Sequence, residues 1–134
     1  MQFIDANVFV RYLTGDDPLK AKQCLTLFQR VKRNEVTIIT SEAVIAEVVY
    51  VLSSKIYRLP RNDIVARLRP LLTLPSLKLP YRSVFLRSLE LYTHHAVDFE
   101  DCLTAAHMER QKITDIYSYD KDFDAITGIK RLEP

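Results

Sequence analysis

At 134 residues, with 48% hydrophobic and 27% charged side chains, the chain has the size and balance of a single domain, expected to span residues 1–134. A chain of this size buries roughly two-thirds of its unfolded surface, so neither a disulfide nor a structural metal is required for folding. The net charge of +2 is modest, and only two glycines occur, Gly15 and Gly128, which excludes a glycine-rich phosphate loop or a dinucleotide-binding fingerprint.

Taken in chain order, Gln2 to Ile4 reads as a short strand that runs straight into Asp5, a charge in the middle of the apolar stretch Phe3 to Phe9. The apolar start is broken by Asp5 and has no basic region ahead of it, so no signal peptide is read. Asp17-Pro18 is an N-cap followed by proline at the first helical position and opens a helix to about Arg33. Val36 to Ile39 is a second strand, and Ser41 caps a helix to about Tyr57. The longest apolar run, Ala43 to Leu52, contains Glu47 and is too short to span a membrane. Pro60 and Asn62 open a third helix expected to stop or kink near Pro70. Leu77 to Leu79 is a strand, Tyr81 to His94 a helix, and Asp98 caps a helix to about Lys112. Asp115 to Tyr117 and Ile129 to Leu132 are the last strands, with one short turn of helix from Lys121 to Ile126 between them. Cys24 and Cys102 fall in separate helical patterns without zinc spacing and read as small buried thiols of a reducing compartment. The expectation is a soluble, cytoplasmic protein with no membrane segment.

Short apolar strands alternating with helices predict an α/β fold with a short, mostly parallel five-stranded sheet. In such sheets the ligand site lies beyond the carboxyl ends of the strands. Asp5 follows the first strand and Asp120 the fourth, which places both at the same edge.

Asp5, Glu47, Asp101 and Asp120 are the candidate site residues, and each also has an ordinary structural role. Asp5 can cap a helix. Glu47 falls just off the edge of the face formed by Val44, Ile45, Val48, Val49, Val51 and Leu52, so its stem can cover the core while its head reaches water. Asp101, whose i+4 and i+7 neighbours are Ala105 and Met108, can balance a helix N-terminus, although Asp98 and Glu100 already do so. Asp120 can cap the turn after it, with Asp122 in reserve. Together the four carry more weight. Carboxylates about 4 Å apart repel by roughly 4 kcal/mol per pair at an effective dielectric near 20, so a cluster needs a cation, and hard oxygen donors favour Mg²⁺ or Mn²⁺. Such ions support phosphodiester hydrolysis by activated water. With four acids so engaged, 19 basic groups face 13 acidic ones elsewhere, a balance of +6 that suits a polyanion. His94, His95 and His107 are isolated and offer no rival metal site. Arg11, Arg82, Arg87 and Lys121 are candidate phosphate contacts.

The opening Phe-Ile-Asp-Ala-Asn, the helical Glu47, Val97-Asp98-Phe99-Glu100-Asp101 with its following alanines, and Ser118-Tyr119-Asp120-Lys121-Asp122-Phe123 resemble PIN-domain nucleases, in particular VapC-like toxins of toxin–antitoxin pairs. The resemblance covers essentially the whole chain. It implies a three-layer fold with helices on both faces of the sheet, and a metal-binding cluster of Asp5, Glu47, Asp101 and Asp120 loaded with Mg²⁺ or Mn²⁺. It places Asn7 near the metal or scissile phosphate. Ser118 stands where the family often has threonine, its hydroxyl available to a carboxylate or substrate. The resemblance further implies cleavage of single-stranded or structured RNA, a homodimer and a cognate antitoxin. The apolar and aromatic residues of the third and fourth helical patterns are the candidate dimer interface. Two other readings compete: a catalytically silent PIN-like interaction module, and a phospho-receiver domain. The receiver needs an acid closing the third strand, where this chain has Leu79-Pro80-Tyr81.

Overall fold

Every strand expected from the sequence forms in the computed structural model, which describes residues 1–134. They are Gln2–Phe3 (β1), Ile38–Ile39 (β2), Leu77–Lys78 (β3), Asp115–Tyr117 (β4) and Lys130–Leu132 (β5). All pairings are parallel. β1, β2 and β3 form one ladder in that order, with Gln2 opposite Ile38 and Ile38 opposite Leu77. β4 pairs with β5, Tyr117 opposite Leu132. The fold class is α/β, as expected, with six α-helices: Ala6–Thr14 (α1), Pro18–Lys32 (α2), Glu42–Ser53 (α3), Arg61–Leu72 (α4), Arg82–His94 (α5) and Phe99–Gln111 (α6). A 3-10 turn covers Lys121–Ala125. No helix is long and apolar enough to cross a membrane. The chain divides into two compact units, Met1–Pro80 and Tyr81–Pro134.

In the first unit, the α3 residues Ile45, Val48, Val49 and Leu52 are buried at helical spacing, leaving Glu47 exposed on another face. Phe9 of α1 and Phe28 of α2 are fully buried with ring centroids 5.6 Å apart. The helix α1 was not expected from the sequence. It starts directly after Asp5 and ends on Gly15, whose left-handed backbone (φ 65°) lets its N–H donate to the Arg11 carbonyl. α3 stops at Ser53 rather than near Tyr57, because the hydroxyls of Ser53 and Ser54 donate to the carbonyls of Tyr50 and Val51. α4 continues past Pro70 to Leu72, where Thr73 Oγ1 donates to the carbonyls of Arg69 and Pro70.

In the second unit, α5 and α6 pack through Phe85 and Phe99, 5.2 Å between centroids, with Tyr92 edge-on to Phe99. Cys102, Ala105 and Ala106 are buried small residues of α6. Phe123 and Ile126 anchor the turn between β4 and β5. Of the apolar and aromatic residues of the third and fourth helical patterns, the expected dimer interface, Ile64, Leu68, Phe85 and Leu89 are fully buried, whereas Tyr81 is exposed and Leu86 half-buried. Cys24 and Cys102 are free thiols.

Candidate metal centre

The first unit holds Asp5, Asn7 and Glu47. At the exit of β1, the Ile4 N–H donates to the Ile39 carbonyl at 2.9 Å and the buried Thr40 Oγ1 donates to the Ile4 carbonyl at 3.1 Å. The backbone entering Asp5 is thereby fixed. Asp5 is the N-cap residue of α1 by backbone conformation (φ −97°, ψ 166°), yet its side chain makes no capping bond. The capping role that would account for Asp5 structurally is therefore not exercised. Its carboxylate is exposed and has no hydrogen-bond or ion-pair partner. Glu47 is likewise exposed and unpaired on α3. Asn7, exposed in the first turn of α1, lines a groove of about 350 Å³ with Arg11, Lys20 and Gln23.

Arg11 is less available to a phosphate than its charge suggests. Its Nη1 donates to both oxygens of Asp16 at 2.9 Å. The Tyr57 hydroxyl also donates to Asp16, and together with Arg11 it holds the Asp16 carboxyl down at about 2.

The second unit holds Asp101, Ser118 and Asp120, and brings Asp122 to them. One carboxylate oxygen each of Asp101, Asp120 and Asp122 lie within 4.8 Å of one another. Asp101 sits in the first turn of α6, half-buried, with Asp98 as N-cap residue and Glu100 beside it. Asp120 and Asp122 are exposed at the 3-10 turn. Partial burial pushes the Asp101 carboxyl up to about 6, reinforced by the negative charges of Asp120, Asp98, Asp122 and Glu100.

Two successive side-chain turns hold this loop. Ser118 Oγ accepts from the Asp120 N–H at 2.9 Å, and Asp120 Oδ1 accepts from the Asp122 N–H at 2.9 Å. Asp120 thus does cap the turn that follows it, through one oxygen. The Ser118 hydroxyl spends a lone pair on the turn and keeps its proton to donate. Asp124 is not part of the group and pairs with Arg131 at 3.1 Å. Asp122 is the residue whose weight the sequence understated; its signal is the Asp-Lys-Asp spacing, which a turn closes.

Among the basic candidates in this unit, Arg87 is committed to structure. It donates to Glu109 through Nε at 2.8 Å and Nη2 at 3.0 Å, and to Glu90 through Nη1 at 3.0 Å, which raises its pKa further. Lys121 is exposed without an ion pair. His94 and His95 each place Nδ1 on a carbonyl one helical turn back, His94 also meeting Thr93 Oγ1, and so both serve the end of α5.

Three carboxylates at this separation, one of them half-buried and resisting ionisation, suit a hard divalent cation. Its charge would offset both the burial and the mutual repulsion that raise Asp101, and oxygen-only donors match Mg²⁺ or Mn²⁺.

No curated protein sequence matches the chain. Among solved structures, Mycobacterium tuberculosis VapC20, described as a sarcin-ricin loop cleaving toxin, aligns over 100% of both chains at 19% identity with a TM-score of 0.43. A family model of the PIN domain matches residues 3–129, a span that contains every acid described above. The chain belongs to the PIN domain family.

Proposed function

We propose that this protein is a metal-dependent endoribonuclease that hydrolyses single-stranded or structured RNA and acts as the toxin of a toxin–antitoxin pair. Its metal-binding and catalytic carboxylates are Asp5, Glu47, Asp101 and Asp120. The observation that carries the reading is the grouping of Asp101, Asp120 and Asp122 within 4.8 Å, together with an Asp101 carboxyl held up near 6. Membership of the PIN family adds support and removes the phospho-receiver alternative.

In this reading Asp5 and Asp101 are the principal ligands, Glu47 completes the set or positions the attacking water, and Asp120 assists through the oxygen it does not give to Asp122. Bound Mg²⁺ or Mn²⁺ supplies Lewis-acid activation of the phosphodiester and of the attacking water. Asn7 offers amide donors to the substrate, and Ser118 offers its remaining proton. The protein works as a homodimer and is inhibited by a cognate antitoxin.

The test is cleavage of end-labelled RNA by the purified protein, single-stranded beside its duplex. Internal cuts in the single strand with Mg²⁺ or Mn²⁺, stopped by chelator, are expected. Undiminished cleavage in chelator, or no cleavage of any RNA with either ion, would overturn the proposal.

A further inference from the structure

Of the seven tyrosines, four have ring or hydroxyl partners inside the fold. Tyr12 packs on Phe28, Tyr57 donates to Asp16, Tyr81 carries Arg110 and His107 against its ring, and Tyr92 meets Phe99. The other three, Tyr50, Tyr117 and Tyr119, have none and are 69%, 72% and 72% exposed. Two lie beside an acid of the proposed site, Tyr50 one helical turn after Glu47 and Tyr119 next to Asp120, and Tyr117 is two residues before Tyr119.

The backbone around Tyr119 is also held. Ser118 on one side donates its N–H to Leu132 at 2.9 Å, and its carbonyl accepts from Arg131 Nη1 at 3.0 Å. On the other side the Asp120 N–H is bonded to Ser118 Oγ at 2.9 Å, and the Asp120 carboxylate to the next turn. The backbone on both flanks of Tyr119 is therefore fixed while the ring stands in solvent, so no backbone ordering is needed for the ring to meet a ligand. On the far side of Asp120, Lys121 holds an ammonium with no internal partner. An aromatic face, metal-suited carboxylates and a free cation, all within residues 119–122, match the base, the diester to be cut and a neighbouring phosphate of one nucleotide strand.

We propose that Tyr119, flanked by Tyr117, is a base-stacking subsite that receives an unpaired nucleobase of the RNA beside the bond to be cleaved. The proposal rests on the ribonuclease reading and adds a physical source for a single-strand preference. A base inside a duplex is already stacked and has no free face to give to the ring.

The experiment measures binding of short single-stranded RNAs by fluorescence anisotropy, with Ca²⁺ in place of Mg²⁺ and Mn²⁺ and the RNA checked to be uncut. Native protein, Tyr119→Ala and Tyr119→Phe are compared on an intact strand and on a series with one abasic position moved along it. Tyr119→Ala should weaken binding roughly 5- to 100-fold, the range that stacking one base supplies. Tyr119→Phe should restore it. At one position the abasic strand should weaken native binding by a similar factor and leave Tyr119→Ala unaffected. The Mn²⁺-induced rise in melting temperature should be the same in Tyr119→Ala as in the native protein, whereas a ring that only shaped the Asp120 turn would change it. Equal affinity of native and Tyr119→Ala protein, with the native protein cutting RNA normally, overturns the stacking subsite alone and leaves this surface to a protein partner. Native protein that cuts only structured RNA and does not bind the single strands also overturns the subsite alone, and failure to cut any RNA overturns the ribonuclease reading and the subsite with it.

Discussion

Asp101, in the first turn of α6, and Asp120, at the exit of β4, approach each other with carboxylate oxygens within 4.8 Å, and partial burial, reinforced by the charge of Asp120, raises the Asp101 carboxyl to about 6. Two different elements deliver like charges to one place. That arrangement is one a divalent cation would relieve.

The first consequence is a pH dependence in the metal-free protein. The folded-state pKa of Asp101 is raised above its unfolded value, so its favourable contribution is present at low pH and is lost as pH rises from about 4 through about 6. Melting temperatures of metal-free native protein and Asp101→Asn, taken across that window, should move apart in favour of the variant. The group is only partly buried, so a shift of a few degrees at most is expected. A native protein that gains on the variant as pH rises would show that the carboxylate is stabilised there.

A second consequence concerns activity. Metal binding requires the ionised carboxylate, so RNA cleavage at limiting Mg²⁺ should climb as pH passes about 6. Asp5→Asn and Asp101→Asn should each lower cleavage by orders of magnitude with an unchanged circular dichroism spectrum. Near-normal cleavage by Asp101→Asn would remove it from the principal ligands.

Ser118 yields a separable effect. Its Oγ accepts from the Asp120 N–H at 2.9 Å, so Ser118→Ala should cost about 0.5–1.5 kcal/mol and loosen the turn that aims Asp120. Ser118→Thr keeps the hydroxyl and should preserve stability and cleavage. Urea denaturation with parallel cleavage assays reads both.

Arg87 is expected to behave as a structural residue. Its fork onto Glu109 and its bond to Glu90 tie α5 to α6, so Arg87→Ala should lower stability by about 1 kcal/mol or less and leave RNA affinity unchanged. A fall in the salt dependence of RNA binding in this variant would instead make it a phosphate contact.

What the sequence made legible follows from how local each signal is. The strand positions, the Asp17-Pro18 start of α2 and the Ser41 cap of α3 are local signals, and the structure has them, with Ser41 Oγ accepting from the Val44 N–H at 3.3 Å. α1 was hidden because Val8, Phe9 and Val10 are strand-favouring residues and Asp5 caps nothing with its side chain. Gly15, one of only two glycines, was the available signal for its end. The exposure of Glu47 followed from helical period, whereas the approach of Asp122 to Asp101 depends on a turn closed by Ser118 and Asp120 side chains, which no periodicity reports. The commitment of Arg11 to Asp16, with Tyr57 joining from far along the chain, was equally out of reach.

Binding of a divalent metal by these carboxylates is read by a thermal-shift titration. Native protein, Asp101→Asn and Glu47→Gln are melted with Mg²⁺ or Mn²⁺ from zero to millimolar concentration. A ligand bound only by the folded state raises stability by mass action, so the native melting temperature should climb with metal. Both variants should climb much less, and metal-free Asp101→Asn should melt no lower than the native protein. A native protein whose melting temperature ignores millimolar Mn²⁺ and Mg²⁺, or an Asp101→Asn variant that responds as strongly as the native protein, would contradict the account.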